Sequence, residues 1–124
     1  MVRIGVVSSS DPTTATVRVA FDDKGGVVSY DLPVLQRQTL QNKDYAVPEP
    51  GEHVVCLFMP NGNAQGFCLG AFYSDVDTPK EESLDVRAVE FSDGTRIAYD
   101  RSSHTLTIDC VGNIVIRGAR IDLN

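Results

Sequence analysis

Hydrophobic and polar residues alternate along much of this chain with a period of two, the spacing of a half-buried strand. Val17-Arg18-Val19-Ala20-Phe21 is the clearest case. The turn cluster Asp22-Asp23-Lys24-Gly25-Gly26 follows it, and Val27-Val28-Ser29-Tyr30-Asp31-Leu32 resumes a strand, so a hairpin is predicted. His53-Val54-Val55-Cys56-Leu57-Phe58-Met59 is a continuous apolar run bounded by Pro50-Gly51 and Pro60, a length that suits a buried strand. Pro60-Asn61-Gly62-Asn63 carries the Asn-Gly hairpin signal, and Phe67-Cys68-Leu69-Gly70-Ala71-Phe72-Tyr73 is the returning strand. Val2 to Val7 supplies the first strand of the set. The polar stretch Leu35 to Asp44 reads either as a short helix or as an extended loop, and Pro48 and Pro50 end any helix there. Five short strands with one irregular insertion predict a small closed barrel of the OB type over residues 1–74.

The pattern then changes. Ser74 to Ser83 contains Asp75, Asp77, Pro79, Lys80, Glu81 and Glu82 and reads as a solvated linker, so residues 75–90 are expected to lead into a separate segment, 91–124. Phe91 and Ile97 flank the turn Ser92-Asp93-Gly94, and Asp100-Arg101-Ser102-Ser103-His104 forms the next one. Leu106, Ile108 and Cys110 alternate with Thr105, Thr107 and Asp109. Val111-Gly112-Asn113 turns the chain, after which Ile114, Ile116, Ile121 and Leu123 alternate with more polar neighbours. A lone sheet this small cannot bury its apolar face. The aliphatic face must therefore meet another copy of the chain, and the pattern implies an obligate oligomer without giving the number of chains.

Composition narrows the function classes. The net charge is −6, from 17 acidic and 11 basic residues, and neither half of the chain is basic. Phosphate-backbone recognition needs a positive face, so nucleic acid is not expected as a partner. No apolar run approaches the ~20 residues of a membrane helix. Met1-Val2-Arg3-Ile4-Gly5 does not read as a signal peptide, so a soluble protein made in the cytoplasm is expected.

Candidate chemistry is sparse. Cys56, Cys68 and Cys110 do not have zinc-knuckle or redox CxxC spacing and read as small core residues; Cys56 and Cys68 lie on strands joined by one loop and are candidate neighbours, expected reduced in the cytoplasm. Gly62-Asn63-Ala64-Gln65-Gly66 lacks the Gly-Lys-Ser/Thr ending of a phosphate loop. Asp75, Asp77, Glu81 and Glu82 lack calcium-loop spacing, and His104 reads as a turn residue. The chain offers no Ser-His-Asp or Cys-His constellation and no placed carboxylate pair, so no enzyme, metal or cofactor is expected.

Several of these segments together resemble the phage baseplate assembly protein V family, the central spike of contractile tails, an architecture shared with contractile bacteriocins and type VI secretion spikes. The resemblance begins at Arg3-Ile4-Gly5-Val6-Val7 and Ala15-Thr16-Val17-Arg18-Val19, and strengthens at Tyr30-Asp31-Leu32-Pro33-Val34-Leu35. It is most specific at Pro48-Glu49-Pro50-Gly51-Glu52-His53-Val54-Val55-Cys56-Leu57-Phe58, and continues at Gly66-Phe67-Cys68-Leu69-Gly70-Ala71-Phe72-Tyr73. Phe91-Ser92-Asp93-Gly94-Thr95 and the stretch from Ile114 to Asn124 match the spike part.

The resemblance implies an N-terminal OB-fold followed by a triple-stranded β-helix formed by an intertwined homotrimer. Leu106, Ile108, Cys110, Ile114, Ile116, Ile121 and Leu123 would then stack along the trimer axis. It also implies a needle of the virion tail baseplate, made in the host bacterial cytoplasm and driven through the target cell envelope on sheath contraction. Its partners would be the baseplate hub and tail tube proteins. The family's metal-binding His-x-His tip motif is not matched, which leaves three alternatives open: a separate tip protein, a truncated sequence, or a short member of the family. The alternative reading is an OB-fold binding module for single-stranded nucleic acid or oligosaccharide, using Tyr30, Phe58, Phe67 and Tyr73 as platforms.

Overall fold

Strand β1 (Val2–Asp11) is longer than the alternation suggests, and it is shared between two partners. Its first half pairs antiparallel with β5 (His53–Phe58), from Val2↔Leu57 to Val6↔His53. Its second half pairs with β2 (Thr16–Phe21), and a bulge between Val7 and Ser9 shifts the register where the strand changes partner. Gly51 and Glu52 hold the bend, with Gly51 N–H donating to Val7 O and Val7 N–H to Glu52 O, both at 2.9 Å. The computed structural model describes residues 1–22, 26–60 and 65–124. The middle of the turn cluster at 22–26, the Asn61-Gly62 hairpin signal and most of the loop 62–66 lie outside the described residues.

The strand expected from Val27 to Leu32 is divided into β3 (Val27–Val28) and β4 (Leu32–Pro33), both paired with β2. The break has a local cause: Ser29 Oγ accepts the Val19 N–H at 2.9 Å and donates to Tyr30 O at 2.8 Å, so a side chain takes a ladder position. The ambiguous stretch after Leu35 forms an irregular loop rather than a helix. Gln36 clamps it through both bonds to Ala46, and Tyr45 Oη donates to Pro12 O at 2.8 Å. Strand β6 (Gly66–Ala71) pairs with β5. A parallel bridge from Val34 to Cys68, with Leu35 N–H donating to Cys68 O at 3.0 Å, links the segment after β4 back to β6, so the two ends of the sheet meet.

The inward side chains of these strands make one core: Val7, Val17, Val19, Phe21, Leu32, Val34, Val54, Cys56, Phe58 and Cys68. Gly5 is required where β1 crosses it, because a Cβ there would lie 2.5 Å from Val19 Cγ1 and 2.6 Å from Ala20 O. The first unit spans Met1–Thr78 and the second Pro79–Asn124. The second holds a three-stranded antiparallel sheet in the order β7 (Val86–Glu90), β8 (Arg96–Asp100), β9 (Thr105–Asp109). Strand β7 lies in the stretch 75–90 read from sequence as linker and entry to the next segment, and residues 79–90 group with the second unit. Every regular element among the described residues is a strand, so the chain is all-β.

Candidate assembly surface

The second unit is built from two turns whose chemistry is local. In the first, Asp93 accepts the Thr95 N–H at 2.9 Å, Gly94 adopts φ +94°, and Phe91 and Thr95 close the hairpin through backbone bonds. In the second, Asp100 Oδ1 accepts from Ser102 N at 2.9 Å and Ser102 Oγ at 2.6 Å, and His104 takes a positive φ of 56°. The turn bonds from Thr95 to Asp93 and from Ser102 to Asp100 hold both carboxyls below their ordinary range.

These turns set a register that sorts the side chains. Val89 faces Ile97, which faces Ile108; Arg87 faces Tyr99, which faces Leu106. Directly paired residues share a face, so Val89, Ile97, Tyr99, Leu106 and Ile108 form one continuous apolar surface with Arg87 at its corner. The opposite face carries Glu90, Arg96 and Asp109 in one row, Ala88, Ala98 and Thr107 in the next, and Val86, Asp100 and Thr105 in the third.

The chain covers the polar face of this sheet. Its own segment Lys80–Asp85 is tied to the polar side: Lys80 Nζ donates to Glu90 Oε1 at 2.8 Å and Arg96 Nε to Glu81 Oε1 at 3.0 Å, while Arg101 Nε reaches Asp85 Oδ1 at 2.5 Å. Ala98, on that side, is 5% exposed and is the one buried hydrophobic residue among those described in the second unit. The five apolar side chains of the other face remain 42–63% exposed. Exposed apolar surface of this extent, next to a covered polar face, marks an interaction surface.

Two of the seven residues expected on a shared axis, Leu106 and Ile108, come together on this face. Cys110 follows β9 and is half-buried, with Sγ 3.5 Å from Asn113 O. Ile114, Ile116, Ile121 and Leu123 are exposed and lie in a segment, 114–124, that forms no strand with the described residues of its own chain. Val89, Ile97 and Tyr99 were not among the expected residues. Folding the sequence about Asp93 would have found them, since that places Val89 beside Ile97 and Arg87 beside Tyr99. The first unit has a second apolar row on its outward side, where Val2, Leu57 and Phe67 are successive register partners and all are exposed.

An all-β chain whose second unit leaves an aliphatic sheet face uncovered is, in physical class, a subunit suited to assembly. The chain is similar to the spike protein of Escherichia phage P2, at 26% identity over 108 residues, which is 87% of this chain and 50% of the P2 protein. It thus spans about half the length of that curated relative. No family model matches the chain.

Proposed function

We propose that the chain is a structural spike of the baseplate assembly protein V type. In this reading three copies form an intertwined homotrimer, with an OB-fold at 1–74, a connecting stretch at 75–90 and a triple-stranded β-helix at 91–124. It is the needle at the centre of a contractile phage tail or tail-like baseplate and pierces the target envelope when the sheath contracts. The hub and tail tube proteins hold it.

The observation that carries this reading is the open aliphatic face of β7–β9. Another chain would cover Leu106 and Ile108, since the chain's own strap at Lys80–Asp85 sits on the other side. The unpaired segment 114–124 supports intertwining: Ile114, Ile116, Ile121 and Leu123 keep strand-like alternation, and neighbouring copies would supply their partners and cover their side chains. The OB reading is supported by the circuit β4-β2-β1-β5-β6, closed by the parallel link at Val34–Cys68. The similarity to the P2 spike protein supports the role.

A trimer of such chains needs no basic groove, in keeping with the net charge of −6. The test is electron microscopy of purified tail particles that carry an epitope-tagged copy of this chain. Label at the axis of the baseplate, with three copies per particle, is expected. Intact, infectious particles assembled without the chain would overturn the reading.

A further inference from the structure

Two of the three thiols sit in the core of the first unit, directly across a ladder from each other. Cys56 on β5 and Cys68 on β6 are register partners, and neither exposes any surface. The phase of the ladder decides how close they come. Met59 N–H donates to Gln65 O at 3.0 Å, which makes Met59/Gln65 and, two residues further, Leu57/Phe67 the hydrogen-bonded pairs. Phe58/Gly66 and Cys56/Cys68 are then the non-hydrogen-bonded pairs. The backbone of Cys68 agrees, because its carbonyl turns away from β5 to accept the Leu35 N–H at 3.0 Å. Such pairs hold their Cα atoms at about 4.5 Å, within the roughly 4.4–6.8 Å that a disulfide spans. Their mutual proximity splits the two acidities, raising Cys56 above the ordinary thiol range and lowering Cys68 below it.

We propose that Cys56 and Cys68 form a dithiol modification site, which a peroxide closes to an intramolecular disulfide stapling β5 to β6 beside the Val34–Cys68 seam. The Cys68 thiolate attacks one oxygen of hydrogen peroxide. An S–O bond forms, the O–O bond breaks, and the departing hydroxide takes a proton to become water. Cys56 then attacks the Cys68 sulfenic sulfur; the S–S bond forms, the S–O bond breaks, and the second hydroxide leaves as water with the Cys56 proton. Two thiols and one peroxide become one disulfide and two waters, and two electrons pass from sulfur to oxygen. Peroxide is nearly as small as water, which suits a site closed to bulkier oxidants. Cys110 lies in the other unit and takes no part.

The test uses the full chain, treated with hydrogen peroxide, then unfolded without reductant in an alkylating agent and analysed by mass spectrometry and peptide mapping. The expected product is about 2 Da lighter before alkylation. It offers one alkylatable thiol, contains a Cys56–Cys68 cross-linked peptide, and recovers three thiols on reduction. Three alkylated thiols after peroxide treatment, or separate sulfinic acids at Cys56 and Cys68, would overturn the proposal.

Discussion

Placing a carboxylate on the open face, by Ile108→Asp, separates a covered surface from an exposed one. Ile108 is 52% exposed in the single chain, so about half of its side chain is still available for burial. Full burial of an isoleucine contributes roughly 1.5–3 kcal/mol, so an assembly would lose about 1 kcal/mol per chain from missing apolar contact alone. The carboxylate adds several kcal/mol per chain when it is enclosed without a partner, and three of them around an axis also repel. The isolated chain would lose little, because a half-exposed position on the outer strand β9 tolerates substitution at a cost of about 1 kcal/mol or less. Thr107→Asp adds the same charge to the other face of the same strand and is the control. Sedimentation velocity at micromolar concentration, alongside circular dichroism melts, reads both effects. Ile108→Asp should dissociate the assembly into single chains that keep a folded first unit, while Thr107→Asp keeps the wild-type mass. An Ile108→Asp variant with unchanged mass and unchanged melting would refute the claim that this face is covered.

Three further outcomes are expected. Gly5→Ala should destabilise the first unit by about 1–3 kcal/mol in denaturant unfolding, because the new methyl meets Val19 Cγ1 and the Ala20 carbonyl at 2.5 and 2.6 Å. Glu81→Ala should loosen the strap over Ala98 by no more than about 1 kcal/mol, since the Glu81–Arg96 pair is partly solvated; faster exchange of the amides around β7 would show it. The turn carboxyls Asp93 and Asp100 are held below their ordinary value of 3.8. Their contribution is therefore fully present above that value and disappears as pH falls through the lowered ones. Melting temperature should be insensitive to these groups near neutrality and drop in acid, and Asp100→Asn should remove part of that drop.

Much of the first unit was legible because its signals are local. The alternation from Val17 to Phe21 reports one buried and one solvated side directly. The break in the third strand was not legible, since it depends on Ser29 reaching the Val19 amide across space, and the pattern of residues 27–32 is the same with or without that bond. The length of β1 was hidden for a similar reason: its bulge lets Ser9–Asp11 continue in pairing although apolar alternation has ceased. In the second unit the turns at Asp93-Gly94 and Asp100–His104 were readable from Asp, Gly and Ser placement. Strand β7 was obscured by the charged residues around it, whose ion pairs to Glu90, Arg96 and Arg101 are long-range features. Leu106 and Ile108 were found by alternation. Val89, Ile97 and Tyr99 needed the hairpin register as well.

The alternation after Asn113 is strand-like, yet it has no ladder with the described residues of its own chain. A pattern records what side chains prefer and says nothing about which molecule supplies the backbone partner. The mass of the particle in solution tests that most directly. Light scattering on the full chain at micromolar concentration should give three times the 13.5 kDa chain mass, about 40 kDa, with no change on dilution. A stable species at the mass of one chain would contradict the account.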